Sequence, residues 1–84
     1  MNEIELRLRD ILIDDLFVER DIEQIQASDT FRGDFGIDSL GFVELKTQVE
    51  TAFAITIPDD DFTPENFATI ASLAQLVGRF AKTA

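Results

Sequence analysis

"FGIDSLGFVEL", residues 35–45, passes from a turn-forming stretch into an amphipathic run, and the fold follows from where that change falls. Gly36 punctuates the turn, Asp38 stands where an N-cap belongs, and Ser39 opens the run. Read on to residue 53, "SLGFVELKTQVETAF" sets Phe42, Leu45, Val49, Ala52 and Phe53 on one face, which predicts a helix over 39–53. A hydroxyl at a helix start is ordinarily just a cap. With Asp38 already capping, however, Ser39 falls in the first turn, where free backbone N–H groups and the helix dipole favour an attached phosphate.

Upstream, residues 3–17 place Ile4, Leu8, Ile11, Leu12 and Leu16 at helical spacing, with Asn2 as N-cap and Glu3 and Glu5 at the positive end of the dipole. Residues 18–38 lose that period, and "ASDTFRGDFGID" is rich in residues that satisfy their own backbone in turns. A loop this long inside a small domain is expected to be an ordered strap, pegged to the core by Ile22, Ile25, Phe31 and Phe35. Downstream, Pro58 interrupts regular structure, and Thr63 followed by Pro64 is the signature of a short helix start. Thr69 caps a last helix, "IASLAQLVGRFAKTA", whose stripe is Ile70, Leu73, Ala74, Val77, Phe80 and Ala81, with Arg79 and Lys82 near its negative end. Such stripes bury only against each other, so the expected fold is an all-α bundle over residues 1–84 as one domain.

Composition removes most chemistry. The 84 residues contain no His, Cys or Tyr, hence no imidazole base for a serine nucleophile, no thiolate, and no nitrogen or sulfur ligand for zinc. G-x-S-x-G is not matched at Ser39, and neither phosphate-cradling glycine motif occurs. Asp59, Asp60 and Asp61 do not follow EF-hand spacing and read as a solvated acidic run. A formal charge of −10 repels nucleic acid and anionic lipid and favours partners with Lys or Arg patches. Apolar runs are short and no basic-then-apolar leader is seen, so a soluble cytoplasmic protein without disulfides or membrane insertion is expected.

Once the core face of helix 39–53 is assigned, Leu40 and Val43 remain beside Ser39, with Glu44, Thr47 and Thr51 on the same side. An apolar pair ringed by Asp34, Asp38, Glu44 and Glu50 suits a partner with an apolar dimple and a basic rim; alternatively, the pair covers the strap. Gly41 costs helix stability of up to about 1 kcal/mol relative to alanine, which close approach of an enzyme would justify.

These residues carry a resemblance. D-x-G-x-D-S-L at Asp34, Gly36, Asp38, Ser39 and Leu40, "VEL" at Val43–Leu45, Phe53, and "IPDDD" from Ile57 to Asp61 make the chain resemble the acyl carrier protein family nearly end to end. The resemblance implies a four-helix bundle whose third helix is short. It also implies a monomeric, non-enzymatic carrier bearing 4'-phosphopantetheine on Ser39, transferred from coenzyme A by a Mg²⁺-using phosphopantetheinyl transferase, with Asp38 as a neighbouring carboxylate. Asp34, Leu40, Val43, Glu44, Thr47 and Glu50 would then meet partners with basic docking patches: the transferase, an acyl or aminoacyl ligase, an acyltransferase or a ketosynthase. Lys46 and Thr47 depart from the apolar residues common in fatty-acid carriers, which turns the expectation towards a discrete carrier of a specialised polyketide or lipid pathway. Two alternatives stay open: an aminoacyl or peptidyl carrier loaded by an adenylating ligase, and an acidic adaptor that docks through helix 39–53 without a prosthetic group.

Overall fold

The computed structural model describes residues 1–80, within which three α-helices and two single 3-10 turns are formed. Helix α1 spans Glu3–Asp14, α2 Ser39–Phe53 and α3 Ile70–Phe80; the 3-10 turns are Ile22–Gln24 and Asp59–Asp61. Ala81 and Lys82, assigned to the last helix from sequence, lie outside the described residues. Among the described residues no helix is long and apolar enough to cross a membrane.

α1 begins with a reciprocal cap, Asn2 accepting the Glu5 N–H at 2.8 Å while the Glu5 carboxylate accepts the Asn2 N–H at 2.9 Å. It buries Leu8, Ile11 and Leu12 as the spacing predicts, but stops at Asp14, short of Phe17. Asp14 and Asp15 crowd the negative end of the dipole, and no basic side chain sits in the last turn to offset them. The chain then leaves through Phe17, whose φ of 57° is left-handed, and the Val18 N–H closes the end on the Leu12 carbonyl at 2.9 Å.

Residues 18–38 form the expected strap, fastened by Ile25, Phe31 and Ile37, all buried; Ile22 instead lies 40% exposed on its 3-10 turn and is no peg. Phe31 is the main fastening. Its ring is fully buried, edge-on to Phe42 and tilted against Phe35, each at 6.3 Å between centroids. Its N–H donates to the Ala68 carbonyl, and its carbonyl accepts the Ile37 N–H, each at 3.0 Å. One residue thus binds the strap both to the segment before α3 and to the turn before α2.

Polar contacts shape the rest of that turn. The Asp34 carboxylate accepts the Thr30 N–H at 2.8 Å and the Thr30 hydroxyl at 3.1 Å, and Arg20 donates to the Asp34 carbonyl at 2.9 Å. Gly36, at φ 67°, supplies the left-handed step that turns the chain towards α2.

The short helix expected after Thr63 is a single turn. Thr63 Oγ1 accepts the Asn66 N–H and the Phe67 N–H reaches the Thr63 carbonyl, but propagation ends there because residues 68 and 69 have other partners. Ala68 is bonded to Phe31, and Thr69 pairs with Thr30 in an isolated antiparallel bridge. Thr69 also caps α3, its hydroxyl accepting the Ser72 N–H while Ser72 Oγ accepts the Thr69 N–H, both at 3.0 Å. The outcome among the described residues is three α-helices plus the two 3-10 turns at Ile22–Gln24 and Asp59–Asp61, rather than four helices. α1 packs against both α2 and α3, and α3 buries Ile70, Leu73, Ala74 and Val77 of the stripe read from sequence and Leu76 in addition, with Phe80 half-buried.

Two outcomes are expected. Phe31→Ala, which empties a fully buried aromatic site, should destabilise the protein by about 3–5 kcal/mol in denaturant titration, most of the stability of a domain this size. The Thr30 N–H and hydroxyl, with a smaller contribution from Arg20, hold the Asp34 carboxyl below its ordinary value. Its ionised form therefore stabilises the fold above about pH 4, and that contribution is lost as pH falls through the lowered value. Asp34→Asn should accordingly lose less stability than wild type between neutral and strongly acidic pH, measured by thermal melts.

Candidate functional site

Ser39 is the first residue of α2. Before it, Asp38 is extended, and its Oδ1 accepts the Gly41 N–H at 2.9 Å while its carbonyl accepts the Phe42 N–H at 2.8 Å. Asp38 therefore does what the sequence assigned to an N-cap, and the serine is spared that task. Ser39 is exposed, and its hydroxyl forms no hydrogen bond among the described residues. The amides of Ser39 and Leu40 open the helix without an intrahelical acceptor, so a phosphate ester on Ser39 would meet N–H donors and the positive end of a 15-residue helix. No side chain here acts as a base towards the hydroxyl; what the site supplies is accessibility and anion stabilisation.

Gly41 has a different origin from the enzyme approach inferred from sequence. A Cβ at this position would lie 2.8 Å from Ile37 Cγ2 and 3.5 Å from Asp38 Oδ1. The missing side chain lets the turn before α2 fold back against the helix's first turn, placing Ile37 in the core directly beneath Ser39's helix.

The exposed face of α2 brings together most of the residues nominated for docking. Leu40 is 81% and Val43 54% exposed, so neither covers the strap. Thr47 is exposed on the same face, its hydroxyl donating to the Val43 carbonyl, and Glu44 is exposed beside Gln48. Two nominated carboxylates are otherwise engaged. Glu50 Oε2 accepts the Ile57 N–H at 2.7 Å and pairs with Lys46 Nζ at 3.5 Å, which holds the chain leaving α2. Asp34 turns its carboxylate to Thr30. Helical periodicity could place Glu50 at the edge of the face but held no sign of a backbone amide seven residues on.

Two clefts flank this face, and neither was read from sequence. One, of about 350 Å³, lies among Arg32, Phe42, Phe62, Thr63 and Phe67, with the Arg32 guanidinium 5.4 Å from the Phe42 ring and Lys46 Nζ 5.8 Å from that of Phe62. The other, of about 560 Å³, opens where the exit of α1 meets the start of α2 and is lined by Phe17, Asp38, Gly41 and Glu44 among others. Phe17 carried a usable signal, since it falls off the Ile4, Leu8, Ile11, Leu12 stripe and onto the polar side of that helix. Among the described residues no group of three or more His, Cys, Asp or Glu side chains is arranged to hold a metal ion.

Comparison with known proteins agrees with this geometry. The family model described as "Phosphopantetheine attachment site" matches residues 7–77. The solution structure of a holo acyl carrier protein from Nitrosomonas europaea is similar with a TM-score of 0.82 and 28% identity, over 93% of this chain and 95% of that one. A glycylated carrier protein complexed with the glycine:[carrier protein] ligase of Bradyrhizobium japonicum is similar at 0.70 and 26% identity, over 88% and 99% of the two chains. A carrier protein from Agrobacterium tumefaciens, complexed with an engineered form of that ligase, shares the fold at 0.81 and 22% identity, over 93% and 100%. The all-helical fold, the capped turn at Asp38–Ser39 and a family match over most of the length lead to one conclusion: the chain belongs to the phosphopantetheine-attachment family of acyl carrier proteins, whose members are not themselves catalytic.

Proposed function

We propose that this chain is a carrier whose Ser39 holds 4'-phosphopantetheine and presents acyl intermediates to the enzymes of a specialised polyketide or lipid pathway. The observation that carries the reading is the Ser39 hydroxyl, exposed and unbonded at the head of α2 because Asp38 has taken the capping task. In the transfer, Ser39 Oγ forms a bond to the phosphorus of coenzyme A that bears pantetheine. The phosphoanhydride bond breaks, adenosine 3',5'-bisphosphate leaves, and the serine proton passes to a base of the transferase, whose Mg²⁺ offsets the charge on the pyrophosphate. The bound group supplies a thiol for thioester cargo, so a chain without cysteine needs none of its own. Once attached, the phosphodiester would be held by the free α2 amides, while Leu40, Val43, Glu44 and Thr47 would offer an apolar and acidic face to basic partners.

A second reading, an aminoacyl carrier charged by an adenylating ligase, is favoured by the similarity to a glycylated carrier at 26% identity. The two diverge only in cargo, so purified holo protein offered to acyl and aminoacyl ligases separates them by which thioester forms.

Both readings share one test. Apo protein incubated with coenzyme A, Mg²⁺ and a broad-specificity phosphopantetheinyl transferase is expected to gain one phosphopantetheine by intact-protein mass spectrometry. Ser39→Ala is expected to remain helical and gain none. A folded wild-type protein that stays unmodified even with a transferase from its own source, yet binds basic partners, would instead be an adaptor with a carrier's fold.

A further inference from the structure

Phe17 carries two unfavourable features at once. Its ring is 78% exposed, and its backbone is left-handed at φ 57°, a conformation that residues other than glycine, asparagine and aspartate seldom adopt. Nothing among the described residues compensates, since the ring stacks on no other aromatic and no cation lies over it. A glycine or asparagine here would end α1 at lower cost. An aromatic ring held outward by a strained residue is explained more readily by something that binds it than by the fold.

The surroundings indicate what binds. Phe17 borders the cleft of about 560 Å³ whose rim carries the exposed carboxylates of Asp15, Glu19, Asp38 and Glu44, and no Lys or Arg lines it. Four carboxylates around an apolar floor disfavour a second copy of a chain with net charge −10, and an anionic lipid surface equally. They match a protein surface that sets an apolar socket among Arg or Lys side chains. Position narrows the partner further. The cleft includes Asp38 and Gly41, from the turn that presents Ser39. An enzyme that reacts with Ser39 Oγ must bring its own centre onto that turn and so covers the cleft. One that reacts at the far end of a long flexible arm has no such need.

We propose that Phe17 and this acidic cleft are a second anchoring surface, beside the exposed face of α2, for the transferase that attaches phosphopantetheine to Ser39. The inference rests on the reading of Ser39 as the attachment site. On that surface the ring enters the enzyme's apolar socket, and Asp15, Glu19 and Glu44 pair with its basic side chains. The left-handed backbone at Phe17 keeps the ring turned outward before the encounter, so little ordering is left for binding to impose.

The test uses apo wild type, Phe17→Asn, Phe17→Gly and, as control, Leu6→Asn, at an exposed apolar residue within α1. Each is assayed with a broad-specificity phosphopantetheinyl transferase and a fluorescent coenzyme A, with helicity and melting temperature measured alongside. Both Phe17 variants should melt at or above the wild-type temperature, because the new residues accept the left-handed backbone. Their KM for the carrier should rise about tenfold with kcat little changed, the loss typical of one anchoring aromatic, while Leu6→Asn keeps the wild-type KM. Wild-type KM in both folded Phe17 variants overturns the surface and leaves Ser39 as the attachment site. No modification of folded wild type, either with this enzyme or with a transferase from the protein's own source, overturns the reading of Ser39 and this inference together.

Discussion

The burial of Phe31 is the constraint on which the other parts of this structure depend. Three helices of 12, 15 and 11 residues are short for a self-sufficient bundle, and a quarter of the chain lies in a strap without helical period. The strap is an asset only if it is locked. Phe31 locks it by placing its ring against Phe42 of α2 and its backbone between Ala68, ahead of α3, and Ile37, ahead of α2. The fold's departures from its sequence expectation trace to the same place. Residues 68 and 69 are bonded to Phe31 and paired with Thr30, and the turn at Thr63 does not grow into a helix.

From this lock follows the site. Ile37, drawn into the core by its bond to Phe31, fixes where α2 begins, and the absent Cβ of Gly41 lets that turn close. Asp38 then caps, and Ser39 is left outward with nothing to do inside the molecule. A carrier needs this division of labour: a nucleophile tied into its own fold would have to break bonds before reacting, whereas an idle one presents itself at no cost. The distribution of charge is consistent with such a role. Carboxylates near the site that have structural partners, Asp34 and Glu50, hold turns, while Glu44 stays exposed on the open face.

Much of this was legible in the sequence. α2 was found with its bounds and its cap, because a capping aspartate followed by a clear apolar face combines two independent signals. The strap was recognised as ordered, and Ile25 and Phe31 as its pegs, because apolar residues in an aperiodic stretch need somewhere to go. Ile22 and Ile37 show the limit, since in such a stretch no period tells which isoleucine faces inward. The role of Glu50 was illegible for a related reason: its partner is a backbone amide, and every residue except proline has one. Phe17 falls off the apolar stripe of α1, but the sequence does not show that the helix ends at Asp14 and that Phe17 takes a left-handed backbone.

Native-state amide hydrogen exchange, read residue by residue, decides whether the strap is locked and so presents the serine in a fixed turn. The Phe31 and Ile37 amides, bonded to Ala68 and Phe31, are expected to exchange only through global unfolding, with the same protection as Leu45 and Val49 in the middle of α2. Exchange at Phe31 and Ile37 orders of magnitude faster than at Leu45 and Val49 would mean that the strap opens while the helices hold. The turn bearing Ser39 would then owe its form to something other than Phe31.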